Sequence, residues 1–371
     1  MDFRLSPAQQ ELQERARRLL DEQFSSAQVR EAEATADGFP RTLWDAGVEL
    51  GWSGVPLAGE FGGKGRGLLD MCVLVEETGR AGATLPLVVS SGVAATMLQR
   101  SPRGTQRDRL LQAIAAGTIV APALIDEHGR NEWDTVRLLL RSDGDDFRLF
   151  GKKVLVSFAS AANELLVTAA TSANDLAIVA VDPATEGVTI TPHHSKVGVP
   201  LSSAEFTDVL VPTGRVIHEG EDAAAALRAG LQTGSLLATA EAVGWCEALI
   251  TMTVKHVTSR QAFGRPIGMF QAVSHPCADM RVSADSVRIL LQQAAWMVDN
   301  GRNADEEIPA TKALANELFD RVANDAFRLH GALGFSNECD VQLFMRRLQG
   351  FFGSYGETQE SFERAATARG I

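Results

Sequence analysis

Apolar positions recur at two different spacings along this 371-residue chain, and the change of spacing divides it into three blocks. In residues 1–118 the period is helical. After Ser6-Pro7-Ala8-Gln9, the positions Leu12, Ala16, Leu19, Leu20 and Phe24 fall on one face. Ser6 reads as an N-cap, Pro7 as the first helical residue and Gln9 as the closing member of a capping box. The run Gly59-Glu60-Phe61-Gly62-Gly63-Lys64-Gly65 predicts a loop, with a new helix from about Leu68.

Between residues 119 and 215 the apolar runs become short and β-branched: Val154–Val156, Leu165–Val167, Ala177–Val179 and Val188–Ile190. Asp143-Gly144 and Asp182-Pro183 mark turns between them, so a small antiparallel sandwich or barrel is expected. Helical periodicity then returns over about Asp222 to Ser259, with no internal proline, over Phe270 to Asn300, and over 308–330 and 338–369. The expected fold is mainly α with a central β domain. It consists of a helical N-terminal domain (1–118), a β sandwich or barrel (119–215) and a C-terminal four-helix-type bundle (216–371).

Composition narrows the function classes. Hydrophobic residues make up 45% and charged residues 22%, as in an ordinary globular chain, and no tract is dominated by one or two residue types. Asp and Glu outnumber Lys and Arg by 47 to 35, a net charge of -12, which disfavours a general nucleic-acid binder. A local basic pocket for one phosphate-rich cofactor remains compatible with that charge. The cysteines Cys72, Cys246, Cys277 and Cys339 form no CxxC pair and no zinc spacing, so each reads as a small buried hydrophobe and no metal is expected. The first twenty residues are charged almost at once and carry no signal-peptide core. No apolar run reaches the ~18 residues of a membrane helix, so the expectation is a cytoplasmic chain without a membrane partner.

Candidate chemistry lies in five collinear segments. They are Arg260-Gln261-Ala262-Phe263-Gly264-Arg265-Pro266-Ile267-Gly268 with Phe270-Gln271-Ala272-Val273, and His330-Gly331-Ala332-Leu333-Gly334-Phe335. The other three are Gly151-Lys152-Lys153-Val154-Leu155-Val156-Ser157, Glu60-Phe61-Gly62-Gly63, and Phe206-Thr207-Asp208-Val209 with Val211-Pro212. In order and spacing, over nearly the whole chain, they resemble the acyl-CoA dehydrogenase family. The resemblance implies FAD bound between the β domain and the C-terminal helices, and oxidation of the Cα–Cβ bond of an acyl-CoA thioester. A carboxylate would take the α-proton, the β-hydride would pass to the flavin, and an electron-transfer flavoprotein would accept the electrons.

Carried onto this chain, the resemblance makes Arg260 the cation for the FAD pyrophosphate, with Phe263, Gln271, Ser157, Arg328, Gly331 and Gly334 in the cofactor set. Plainer roles are open to each: a surface ion pair for Arg260, core packing for Phe263, a helix surface for Gln271, a turn for the glycines and a strand end for Ser157.

The catalytic carboxylate departs from the pattern. Tyr355 occupies the family's C-terminal Glu position, and Glu357 follows two residues later. A second family position for the base, on the long helix before Arg260, falls on Gly234. Glu241, two turns further on nearly the same face, is either a buried base or a carboxylate paired for structure. The flavin side is also altered, since Ile125–Glu132 lacks the family's Thr, Pro and Gly-Ser-Asp and Leu155 replaces an aromatic; in the glycine-rich turn, Arg328 replaces the leading Gln.

In the family, the altered loop, the Leu155 strand and the catalytic Glu serve the chain's own site, whereas the Arg260 segment and the glycine-rich turn, largely intact here, serve a neighbour's FAD. That asymmetry resembles the subunit without a base in heterotetrameric (α2β2) acyl-CoA dehydrogenases of actinobacterial steroid degradation. The alternatives are a self-sufficient homo-oligomer using Glu241 or Glu357, another flavin reaction on the same fold, and a non-catalytic scaffold.

Overall fold

The fold is that of a computed structural model, which describes residues 3–127, 136–171, 175–336 and 339–371. The N-terminal part is helical: α1 (Pro7–Gln23), α2 (Ser26–Glu33), α3 (Arg41–Glu49), α4 (Leu68–Arg80), α5 (Ala95–Arg100) and α6 (Thr105–Ala115). The Ser6/Gln9 capping box forms, with Ser6 N–H donating to Gln9 Oε1 at 2.9 Å. Helix α4 starts at Leu68 and is capped from elsewhere in the chain. The Leu68 and Leu69 N–H groups donate to the Asp299 carboxylate at 2.6 and 3.0 Å. A fully buried π-helical segment, Leu87–Ala94, runs into α5.

Among the described residues nine strands follow: β1 (Val120–Ala123), β2 (Ile125–Asp126), β3 (Leu139–Asp143), β4 (Asp146–Ser157), β5 (Glu164–Thr171), β6 (Leu176–Val181), β7 (Val188–His193), β8 (Leu201–Val211) and β9 (Val216–Glu219). They form one sheet in the order β7-β8-β4-β3-β5-β6-β9, with β1 on β5 and β2 on β4. Most pairs are antiparallel as expected, but β1 and β3 both run parallel to β5. The core strands β5 and β6 are buried almost throughout, because helices cover one face and the rest of the sheet the other.

The C-terminal part holds α7 (Glu221–Ser259), a hairpin of β10 (Gln261–Ala262) and β11 (Arg265–Pro266), α8 (Gln271–Asp299), α9 (Glu307–His330), α10 (Asp340–Phe352) and α11 (Thr358–Arg369). The expected helix over 338–369 is therefore two helices, broken at Gly353–Glu357, where Tyr355 adopts φ 56°. Helix α7 is apolar nearly all round from Thr233 to Cys246 and forms the centre of the molecule. By length and composition α7 alone among the described helices could cross a membrane, yet 67% of its apolar window is buried within the protein.

Close packing fixes how α7 presents its residues. A Cβ on Gly79 of α4 would lie 2.2 Å from the Glu241 carbonyl oxygen, and one on Gly244 would lie 2.1 Å from the Glu76 carbonyl oxygen. The two backbones thus cross in contact, and Glu241 sits at the crossing. Of the cysteines, Cys72 and Cys246 are buried, whereas Cys277 and Cys339 are only half-buried, on the rims of α8 and α10. No cluster that could hold a metal ion occurs among the described residues.

Candidate active site

The three parts of the chain meet around a cavity of about 300 Å³. The N-terminal segment contributes Thr84, Leu85, Val88 and Val89. The sheet contributes Pro122, Leu124, Ile125, Val154, Leu155 and Ser157. Helix α7 contributes Ala238, Glu241 and Trp245, and the α10 end contributes Arg347, Phe351, Ser354 and Tyr355. Ser157, Glu241 and Tyr355, three candidates from three separate stretches of sequence, therefore face one space.

The sheet wall is shaped by a break in strand register. Pairing between β4 and β8 slips between Lys153 and Val156, and Leu155 takes φ 52°. A bulge of this kind re-aims side chains. Leu155 accordingly stands 55% exposed at the cavity instead of packing in the sheet. Beneath it the Lys153 ammonium is wholly buried. It pairs with Asp126 at 2.6 Å and donates to Leu124 O at 3.2 Å and Thr168 Oγ1 at 3.1 Å. Burial pulls Lys153 down to about 8, against the opposing pull of Asp126. The pair pins β2 to β4 and so sets Ile125 on the cavity wall. The Ser157 hydroxyl makes no hydrogen bond among the described residues. Residues 128–132 of the Ile125–Glu132 loop lie outside the described residues.

On the opposite wall, the two family positions for a base converge in space. A Cβ on Gly234 would lie 2.3 Å from Tyr355 Cε1, so the Tyr355 ring occupies the room that a side chain at 234 would need. Neither position carries a carboxylate. The Tyr355 phenol is held far above its ordinary range by burial and by the nearby Glu241. Glu357 does not reach the cavity. It is exposed at the start of α11, its N–H donating to Glu360 Oε2 at 3.4 Å.

Glu241 is the only acidic side chain on the cavity wall among the described residues. Its carboxyl has no hydrogen bond or ion pair there. Burial pushes it up to about 7, with the Arg347 charge opposing. Arg347 is 1% exposed; it donates to Gly82 O at 2.6 Å and Glu33 Oε1 at 2.9 Å. Arg347 escaped sequence reasoning. Its only signal was position: it falls on the buried face of α10 with Phe344, Leu348 and Phe351. Trp245 gave no signal beyond its place in the apolar stretch of α7.

The remaining candidates form a second group, none of which lines the cavity. Arg260 ends α7, exposed and without a carboxylate partner among the described residues. Phe263, at the tip of the β10–β11 hairpin, is 95% exposed with φ 53°. Gln271 is the exposed first residue of α8. Gly331 takes φ 60° with open space where a Cβ would stand, and Phe335 is 73% exposed. Gly334 by contrast is buried; its carbonyl accepts from Gln342 Nε2, and a Cβ there would lie 3.0 Å from Phe327 O. Arg328 is exposed and paired with Asp325 at 2.8 Å. The ring of His256 stacks on that of His330 at 4.6 Å, joining the end of α7 to the glycine-rich turn. Burial, His330 and the Arg260 charge hold His256 below its ordinary value.

Two arrays thus stand on one chain: a mostly apolar cavity, and an exposed group of aromatic, cationic and glycine residues. Residues 6–118 match the acyl-CoA dehydrogenase N-terminal domain, and residues 224–359 match the acyl-CoA dehydrogenase C-terminal domain. The chain belongs to the acyl-CoA dehydrogenase family. Probable acyl-CoA dehydrogenase YngJ of Bacillus subtilis is 28% identical over 100% of this chain and 99% of its own length. Among solved structures, the ChsE4-ChsE5 complex from Mycobacterium tuberculosis aligns with TM-score 0.91 and 25% identity, over 100% of this chain and 99% of that one. The Tcur3481-Tcur3483 steroid ACAD, as a variant, aligns with TM-score 0.87 and 27% identity, over 98% of each chain.

The protein is an oxidoreductase of the acyl-CoA class, with FAD as cofactor. FAD joins a planar, largely apolar ring system with a polar edge to an anionic pyrophosphate. The residues present fit these parts in two separate halves. The wall of Ile125, Leu155 and Ser157 would offer the ring apolar contact and one hydroxyl, without the loop residues and the aromatic of the family pattern. The unpaired Arg260 cation, beside exposed Phe263 and the open Gly331 turn, suits an anion and the atoms around it.

Proposed function

We propose that this chain is one subunit of a heteromeric acyl-CoA dehydrogenase and completes the FAD site of a second, base-carrying subunit. One observation carries the reading: the cofactor candidates Arg260, Phe263, Gln271 and Gly331 face outward, away from the chain's own cavity, while both positions for its own base are occupied by Tyr355 packed on Gly234. The similarity to structures whose names each join two components supports it.

In this reading Arg260 holds a pyrophosphate oxygen of the partner's FAD by a charge-assisted hydrogen bond. The Phe263 ring covers apolar cofactor surface, and Gly331 lets backbone approach closely. FAD would supply the hydride acceptor there, with an electron-transfer flavoprotein as the acceptor of its electrons. This chain's own cavity admits the acyl end of a CoA thioester but offers it no base at the α-carbon. The Tyr355 phenol stays protonated at any working pH. Glu241 lies seven residues from Gly234, about 10 Å along α7.

The test is dye reduction with a panel of acyl-CoAs. A missing base typically costs about 10²–10⁴ in rate. The chain alone should turn over poorly, and a complex with a family member bearing Glu at either base position should turn over well. Robust turnover by the pure chain, abolished by Glu241→Gln, would replace this reading with a self-sufficient enzyme.

A further inference from the structure

Glu241 is left unexplained by this assignment. A carboxyl at a helix crossing is ordinarily paired, yet this one has no hydrogen bond or ion pair among the described residues and opens onto the cavity, the Arg347 charge acting on it without a direct bond. Most of the cavity wall it shares is apolar, with Leu85, Val88, Phe158, Trp245 and Phe351, and Arg347 and Tyr355 are its polar neighbours. Its place is also particular. The thioester end of a ligand belongs near Tyr355 and Gly234, and Glu241 stands about two helical turns further along α7. With the thioester end placed there by the proposed function, Glu241 would meet the acyl group beyond its α-carbon, toward the tail.

From this geometry we infer that Glu241 binds a hydroxyl group carried on the acyl tail, so that the ligand of this cavity is a hydroxylated acyl-CoA and not a plain alkyl one. An alkyl tail would expel water from the cavity and leave the carboxyl unpaired. An ammonium is disfavoured because the buried Arg347 charge is close enough to act on Glu241. A carboxylate tail would meet an ionised Glu241 as a like charge. A keto oxygen can only accept. A hydroxyl donates to the carboxylate and accepts from the carboxylic acid, so it satisfies Glu241 in either protonation state.

The inference rests on the proposal that this cavity takes the acyl end of a thioester, but it does not require chemistry there. The experiment is calorimetric titration of the chain in its assembly with octanoyl-CoA and with octanoyl-CoA bearing a hydroxyl at successive tail carbons. At least one hydroxylated thioester should bind about tenfold or more tighter than octanoyl-CoA. Glu241→Ala should erase that preference without weakening octanoyl-CoA. Glu241→Gln, of the same shape and able both to donate and to accept, should keep most of it.

Equal affinity across the series, or a preference that survives Glu241→Ala, overturns the inference and leaves the acyl-site proposal standing. Failure of every thioester to bind overturns both.

Discussion

The contact between Tyr355 and Gly234 holds the chemistry of this chain in two residues. The loop residue at φ 56° carries the ring, and the helix residue makes room for it. Gly234→Ala should therefore lower the thermal midpoint, as overpacking does, by the equivalent of about 1–3 kcal/mol. In a Tyr355→Ala background the same change should cost much less, and an additive pair would show that the ring does not depend on that space.

Glu241 gives a second signature at this scale. Its carboxyl is raised from 4.5 to about 7, so the folded state holds a proton that the unfolded chain has released. Between those values stability falls as pH rises, by about 3 kcal/mol at most, and levels off above. Thermal midpoints against pH should show that decline, and Glu241→Gln should flatten it between pH 5 and 7. An unchanged profile would mean that the carboxyl is solvated. Both family base positions could be found by counting along the sequence, because the motifs that anchor the count are short and ungapped. The partner of each residue could not. That Tyr355 lies on Gly234, or that Arg347 acts on Glu241, depends on contacts across more than a hundred residues.

Single elements were readable wherever local chemistry decides them. The Ser6/Gln9 box starts α1, the Gly59–Gly65 run precedes α4, and Asp143-Gly144 turns β3 into β4. The break at Gly353–Glu357 was not readable, because helical periodicity resumes on both sides of it. Tertiary bonds hold it instead. Buried Lys312 on α9 donates to Asn316 Oδ1 and to Phe351 O at 3.0 Å, and Asn316 Nδ2 donates to Gly356 O at 3.3 Å. Asn316→Ala should release the Tyr355 loop at a cost of about 1–3 kcal/mol, because it leaves the Lys312 ammonium short of a partner. Hydrogen exchange should quicken at residues 353–357 before the core of α7. Unchanged protection of that loop would show that Tyr355 is held by its ring contacts alone. The π-helical turn at Leu87–Ala94 left no sequence signal, since its residues are apolar without any period.

At the scale of the whole molecule, the order of helical, strand-rich and helical blocks was visible in periodicity. The enclosure of one cavity by all three was not, because periodicity says which face is buried but not against what. The exposed array at Arg260, Phe263, Gly331 and Phe335 is the feature a lone chain cannot account for. Under the composite-site proposal, Phe263 would pack on the partner's cofactor. Arg260→Ala should weaken flavin retention by about 1.5–3 kcal/mol in whichever assembly binds it. Flavin content unchanged after dialysis would remove Arg260 from the cofactor site.

The most direct test of the composite-site account is flavin stoichiometry, measured on the chain expressed alone and on the chain co-expressed with a family member that has Glu at the position matching Gly234. Alone, each site would join this chain's altered wall of Ile125 and Leu155 to a copy's Arg260 and Gly331, and FAD should be weakly held or absent. Co-expressed, one good site forms per pair, so the account predicts about one FAD per two chains. One tightly bound FAD per chain in the pure homo-oligomer would contradict it.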